Sequence, residues 1–362
     1  MKVVYISQSI IPSSSANSVH VMKMCETLAA AGHTVTLIAI RGDKDLNPFT
    51  YYGTKANFAI NSMTLPPLPL IGRLYPFYGY LKGSKIKADI YYTRNIEIAG
   101  YLRRAGKNFR LELHSPFTNT QEKKILTRCL NSPSCEKIIV ITHALKKFLS
   151  EEMGIQEADT RKIVVVPDAA SPTATEPAVS KTGKTSEIGY VGQLHAGKGA
   201  EVVIALAKRL PEKQFHIVGG TEAQIKSLSA HAPENVRFHG QLPYRDAEKI
   251  RLACDILLAP YQEKVATYGN SHDNIAQWMS PLKLFEYMAA RKAIVCSDVQ
   301  VLREVMRDGV NCLLVPHDTI DAWVEAVNRL EDSSLREKLA NAAYSNFIHD
   351  YTWAARAKKV LT

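Results

Sequence analysis

Strand signals alternate with helix signals along this chain, and the alternation runs twice. Lys2–Ser7 reads as a strand, Val19–Ala31 as a helix ended by Gly32, and Thr34–Ile40 as the next strand. A weak strand at residues 57–62 precedes strands at Asp89–Tyr92, Phe109–Leu113, Lys137–Ile141 and Val164–Val166. Helices fall between them over 96–105, 118–131 and His143–Ser150, the last capped by Thr142. Parallel strands cannot be joined by tight turns, so a helix carried between successive strands marks a parallel sheet covered by helices. The pattern stops at residues 171–186, rich in Ser, Thr, Ala and Pro, and restarts with the strand Ile188–Val191. Strands at Gln214–Val218, Val236–Phe238, Ile256–Ala259, Ala293–Cys296 and Cys312–Val315 follow, with helices at Ala200–Leu210, Ala223–Ala230, 244–253, 318–331 and 334–361. The expected architecture is α/β: doubly wound domains at 1–170 and 187–345, a linker at 171–186, and a helical segment 346–362 with packing back on the first domain as one option.

A chain of 362 residues is long enough for two such domains, each with a full core. Its 46% hydrophobic and 22% charged content is that of a soluble globular protein, and no run approaches the roughly 18 consecutive apolar residues of a spanning helix. The opening residues read as a strand and not as a signal peptide. Six scattered cysteines without metal-ligand spacing point to reduced, buried thiols in a cytoplasmic protein. The net charge of +10 is lopsided. Residues 1–170 carry 22 Lys and Arg against 13 Asp and Glu, and residues 171–362 carry 23 against 22. An anionic partner surface would therefore be met by the first half.

Two stretches of the second half suit phosphate. Gly192-Gln193-Leu194-His195-Ala196-Gly197-Lys198-Gly199 lies between a strand and a helix, where glycines admit close backbone approach and Lys198 can neutralise an anion. The spacing is not that of a Walker A loop. Ser280-Pro281-Leu282-Lys283-Leu284-Phe285-Glu286-Tyr287 opens a helix, with Ser280 expected as N-cap and Pro281 in the first turn. Its amides, Lys283 and Glu286 could hold phosphate and ribose, or Lys283 and Glu286 could form a surface pair worth a few tenths of a kcal/mol. In the first half, the small-residue loop Ile10–Ser18 after the first strand is expected at the ligand-binding edge, as is His114 after Leu113. The Asp43-Lys44-Asp45 run reads as a solvated turn, and Ser271-His272-Asp273 are too close in sequence for a nucleophilic triad. Residues 262–280 form a loop long enough to favour function. The apolar, aromatic stretch 65–82, rimmed by Arg73, Lys82, Lys85 and Lys87, suits a membrane edge or a buried irregular connection.

The order and spacing of several stretches carry a resemblance over nearly the whole chain. They are Gly32-His33-Thr34-Val35, Leu113-His114-Ser115, Ile139-Val140-Ile141-Thr142, Val166-Pro167, Gly192–Gly199, Ile217-Val218-Gly219-Gly220, Val236–Gly240, Ala253–Ile256, Ser280–Asp298, and Trp353 with Arg356. Together they resemble the retaining glycosyltransferases of family four, which have two Rossmann-like domains facing across a cleft, the GT-B arrangement. The Ser-Pro-Leu-Lys-Leu-Phe-Glu-Tyr form is similar to that of a subgroup that builds bacterial surface polysaccharides, lipopolysaccharide among them.

The resemblance implies catalytic roles for His114, Lys198 and Glu286. His114 would lie near the transferred sugar, and Lys198 would hold the donor diphosphate with Gly192, Gln193, Leu282, Lys283 and Leu284. Glu286 would bind the ribose beside Gly219 and Gly240, and Ala16, Asn17 and Ser18 would form the first-domain loop at the cleft. Two positions depart from the family pattern: the basic residue usual after the first glycine is Gln193, and the first glutamate of the E-x7-E motif falls at Trp278. The implied activity is transfer of a sugar, from UDP by preference, to a lipid-linked saccharide. It would use the nucleotide-sugar as co-substrate, with no cofactor, metal or nucleic acid, at the inner face of the cytoplasmic membrane. The basic excess between Lys82 and Arg128 would seat the first domain on that anionic surface. A nucleotide-sugar epimerase on the same fold and a non-catalytic nucleotide-sugar-binding subunit remain alternatives.

Overall fold

The computed structural model describes residues 1–64, 71–117, 119–154, 159–175, 186–266 and 274–362. The chain divides into two compact units, Met1–Pro167 with Trp353–Thr362, and Asp168–Thr352.

The first unit is built on β1 (Lys2–Ile11), β2 (Thr34–Arg41), β3 (Ala59–Met63), β4 (Ile90–Thr93), β5 (Phe109–Leu113), β6 (Cys135–Val140) and β7 (Ile163–Val165). All pair in parallel, in the order β3-β2-β1-β4-β5-β6-β7. The crossovers are α1 (Ala16–Ala30), α2 (Pro48–Tyr52), α3 (Ile71–Ser84), α4 (Ile96–Arg104), α5 (Thr120–Leu130) and α6 (His143–Met153). The order reverses between β1 and β4, where neighbouring crossovers leave to opposite faces and open a crevice at the carboxyl edge.

Ala16, Asn17 and Ser18, expected in a loop, are instead the first turn of α1. Ser15 is the N-cap, accepting from the Ser18 amide at 3.2 Å, while the Ser18 hydroxyl donates to the carbonyl of Ile10 at 2.9 Å. A serine run favours turns, but serine is also among the best N-caps, and here capping wins. The aromatic stretch is also helical from Ile71 onward, with Pro76 inside α3. Residues 65–70 of that stretch lie outside the described residues.

The second unit holds β8 (Glu187–Val191), β9 (Gln214–Val218), β10 (Val236–Gly240), β11 (Ile256–Ala259), β12 (Ala293–Ser297) and β13 (Leu313–Val315), all parallel, in the order β10-β9-β8-β11-β12-β13. Its helices are α7 (Ala200–Arg209), α8 (Glu222–Ser229), α9 (Tyr244–Ala253), α10 (Leu282–Ala289), α11 (Ile320–Arg329) and α12 (Ser333–Asp350). Tyr190, Phe215 and Trp323 are the largest side chains of its core. The single helix expected over 334–361 is broken: α12 stops at Asp350, the Ala170 amide donates to the carbonyl of Tyr351 at 3.0 Å, and α13 (Trp353–Leu361) starts anew. It packs on α1 in the first unit, which is why α1 is buried on nearly every side. All six cysteines are buried, free thiols.

The turn after β9 depends on Gly219. Its φ is +117°, and a Cβ there would lie 2.0 Å from the carbonyl oxygen of Gly192. Gly219→Ala should therefore cost about 2–3 kcal/mol, from left-handed strain plus a backbone clash. Thermal unfolding should show a fall of several degrees for it, against a smaller one for Gly32→Ala, whose Cβ would meet nothing within 4 Å.

Candidate functional site

In the second unit the sheet order reverses between β8 and β11, and the sequence-predicted donor residues collect at the carboxyl ends of these two strands. Gly192 follows β8, with its amide donating to the Val218 carbonyl at 2.9 Å. Pro260 and Tyr261 follow β11. The Tyr287 hydroxyl accepts from the Val191 amide at 2.8 Å and so ties α10 to the end of β8.

Lys283 does not form the surface pair that its spacing with Glu286 allows. It is buried, with Nζ 3.8 Å from the centre of the Tyr190 ring and 4.7 Å from that of Tyr261. Gly192 makes room for it, since a Cβ there would stand 2.9 Å from Lys283 Cε. Lys283 Nζ has no hydrogen-bond partner among the described residues. Burial, and then the charge of Lys198, hold its pKa well below the ordinary lysine value. Lys198 Nζ lies over the Tyr261 ring as well, 5.4 Å from its centre, and burial lowers its pKa to about 8. Two lysine amines thus share the Tyr261 ring, and the charge of Lys198 lowers the tendency of Lys283 to hold a proton. Each cation–π contact offsets part of the desolvation cost, and an anion with two charges would offset far more.

Two helices begin here, α7 behind Gly199 in the left-handed region and α10 behind Pro281, and neither has a side-chain cap hydrogen bond. Ser280, expected as the cap of α10, instead accepts from the Asp168 amide at 2.9 Å; the Leu284 amide donates to the Pro281 carbonyl at 3.0 Å, and among the described residues the Leu282 and Lys283 amides are left for another acceptor. Leu284, Phe285, Tyr287, Met288 and Ala289 are buried, making α10 a core helix and not an amphipathic surface one. Glu286 pairs with the buried Arg251 at 3.3 Å, which in turn lies over the Tyr244 ring. Gln193 is exposed. Gly240 accepts from the Gly219 amide at 2.7 Å, at the same sheet edge. Trp278 is half-buried, and Ser271-His272-Asp273 lie outside the described residues.

In the first unit, His114 stands at the carboxyl end of β5, and sequence reasoning missed what holds it. Glu112, fully buried on β5, hydrogen-bonds through Oε1 with His114 Nε2, while its Oε2 accepts from the Tyr92 hydroxyl. Oε1 also faces His20 Nε2 of α1 at 3.1 Å, Arg356 Nη2 of α13 at 2.9 Å and Arg94 Nε at 3.9 Å. Burial alone would raise the Glu112 pKa, but Arg356, then His20, and the imidazole hydrogen bonds outweigh it and hold the carboxyl well below its usual range. Ligating atoms of His20, Glu112 and His114 do meet, but the guanidinium at 2.9 Å already holds the oxygen a cation would need. A charged residue inside the apolar strand Phe-Arg-Leu-Glu-Leu was the available signal. Asn17 Nδ2 donates to Ser9 Oγ at 2.8 Å near the β1 end of the same edge. The Asp43-Lys44-Asp45 run is an exposed turn.

Comparison with known proteins agrees with this geometry. The family model described as "Glycosyltransferase Family 4" matches residues 18–172, and that described as "Glycosyl transferases group 1" matches residues 185–333. The chain belongs to the family-four glycosyltransferases, with the GT-B fold. A phosphatidyl-myo-inositol mannosyltransferase of Mycolicibacterium smegmatis is 23% identical over 94% of this chain and 88% of its own. Among solved structures, Anabaena HepE in complex with UDP and glucose superposes with a TM-score of 0.73 at 13% identity, covering 100% of this chain and 98% of that one. The lipopolysaccharide outer core galactosyltransferase WaaB gives a TM-score of 0.66 at 15% identity over 99% of this chain and 98% of its own.

A buried amine with no hydrogen-bond partner among the described residues is costly, so Lys283→Met should leave the ligand-free protein as stable as the parent, or more stable by up to about 2 kcal/mol. Thermal unfolding without ligand checks this. A loss beyond about 1 kcal/mol would make Lys283 a structural residue held by its tyrosines.

Proposed function

We propose that this glycosyltransferase moves a sugar from a nucleoside diphosphate, UDP by preference, to a lipid-linked saccharide in bacterial surface-polysaccharide synthesis, with retention and without a metal. The observation that carries this reading is the pair Lys198 and Lys283 at the carboxyl edge of β8 and β11. Their two depressed, desolvated ammonium groups match the two charges of a nucleotide-sugar's diphosphate. The amides that open α7 and α10 add donors to it. Arg251 orients Glu286 for the ribose hydroxyls, beside Gly219 and Gly240. As the bond from the sugar's anomeric carbon to the diphosphate oxygen breaks, negative charge grows on the leaving group, and groups already placed there stabilise it without reorganising. The acceptor hydroxyl bonds to the anomeric carbon on the face the diphosphate leaves, and its proton goes to a phosphate oxygen. His114 serves beside the transferred sugar. Lys283 supplies the second positive charge that Gln193 withholds.

The UDP preference is supported by the UDP bound to Anabaena HepE, and the lipid-linked acceptor by the substrate in the name of the mycobacterial relative. Among the described residues no helix is long and apolar enough to cross a membrane. Leu74, Phe77, Tyr78 and Leu81 are nonetheless exposed on α3 at the spacing of one helix face, with Arg73, Lys85 and Lys87 exposed around them. We assign this face to an anionic bilayer on the cytoplasmic side, which suits an acceptor that resides there.

Calorimetric titration with UDP, GDP and ADP and their sugars tests the donor reading. Lys198 must be protonated to hold a diphosphate. The part of the affinity that Lys198 supplies should therefore be full below pH 8 and fall as the pH rises through it, with proton uptake on binding above pH 8. Lys283→Met should weaken binding at least tenfold at pH 7. Pairing of donor and product then separates the rivals: an epimerase alters the sugar without acceptor, and a binding subunit leaves it unchanged. For the membrane, co-sedimentation with phosphatidylglycerol-containing vesicles at low salt is expected. It should be lost with Leu74→Ser/Phe77→Ser or in neutral vesicles, and equal binding to neutral vesicles would refute the electrostatic part.

A further inference from the structure

Glu112 is more heavily provided for than a structural carboxylate needs to be. Every residue of β5 is buried, and an ionised group in such a strand costs several kcal/mol unless paired. Arg356 alone, at 2.9 Å, supplies the counter-charge. An apolar residue in place of the pair would usually be no less stable, so the charge calls for a reason beyond packing. Side chains two apart on a strand share a face, and His114 is the second residue after Glu112, the first beyond the end of β5. Glu112 is inaccessible, whereas the His114 side chain is 21% exposed. The imidazole therefore bridges a sealed carboxylate and the outer edge of the sheet.

We propose that Glu112 is the positioning residue of His114: it fixes the ring's orientation and its Nε2–H tautomer, while His20, Arg94, Arg356 and Tyr92 keep the carboxylate ionised and in place. An ionised carboxylate only accepts, so the hydrogen bond requires a proton on Nε2, and in the neutral ring Nδ1 is then the unprotonated nitrogen. A ring so held is presented to the sugar in one place and one orientation. Glu112 does not itself touch substrate. Its action rests on the transferase reading given above, in which His114 stands beside the transferred sugar.

The test combines two readouts. The 15N chemical shifts of His114 in the whole protein, assigned through His114→Gln, should report the Nε2–H tautomer at pH 7.5, and an Nδ1–H tautomer would overturn the proposal whether or not any variant folds. Kinetics with the donor and acceptor found for the parent supply the second readout. Glu112→Gln should lower kcat about 10- to 100-fold, the range seen when a partner that orients a functional histidine is removed. KM for the donor, whose site lies in the other unit, should stay within twofold. Glu112→Asp should recover part of the loss, and Glu112→Gln should add nothing in a His114→Ala background. Independent, multiplicative losses would make Glu112 purely structural. A parent chain that binds no nucleotide would overturn the transferase reading, whereas a parent that transfers and a Glu112→Gln variant with unchanged kcat would overturn the positioning role alone.

Discussion

Parallel pairing puts the carboxyl ends of all strands of a sheet on one edge, and helical crossovers fill both faces, so that edge alone is left for chemistry. Both units obey this constraint at the place where their strand order reverses. In the second unit it brings together Gly192, Tyr261 and the starts of α7 and α10, from segments nearly a hundred residues apart. In the first it brings His114, Arg94 and the start of α1 to one edge. The functional groups differ in kind, but their location follows from the same hydrogen-bonding pattern.

The two sites treat buried charge in opposite ways. Glu112 is saturated: one oxygen faces two imidazoles and two guanidinium groups, and the other accepts from a phenol. Burial and then its negative charge push Tyr92 and Tyr5 well above the usual phenol range, as expected beside a permanent anion. Lys283 is deprived: among the described residues its Nζ has no hydrogen-bond partner and lies against the Tyr190 and Tyr261 rings. A saturated charge fixes geometry. A deprived one stores a desolvation cost that a ligand of opposite sign would relieve.

Much of this architecture was legible in the sequence because parallel α/β sheets leave a coarse imprint, apolar strands punctuated by capped helices. Each strand has a counterpart in the sequence reading, although β1 runs on to Ile11, through Ile10 and Ile11 that read as loop, and Lys198, Lys283 and His114 stand out from their places after strands or at helix starts. The failures were of context. Ser280 looks like a cap until the Asp168 amide is seen to use it. The small-residue run before Val19 looks like a loop because serine favours both turns and first helical turns, and local propensity does not decide between them. Lys283 looks like half of a surface pair, since three-residue spacing says nothing about which side of a helix is covered. The Glu112 cluster could not be assembled at all, because its members come from α1, β4, β5 and α13, and no local pattern links them.

The route of the chain bears on how the protein is made. Arg110 of β5 hydrogen-bonds the carbonyl of Val360, 250 residues further on, and Arg356 donates to the carbonyls of Val166 and Pro167 at 2.5 and 2.7 Å. During synthesis the ribosome must therefore finish the whole of the second unit before the first can close around Glu112. Until then the nascent first unit carries a buried carboxylate short of one guanidinium and an α1 face with nothing against it. Such a half-built intermediate exposes apolar surface and is the natural client of a chaperone. A stop codon anywhere between 168 and 352 would then damage the first unit as well as the second, because it removes α13.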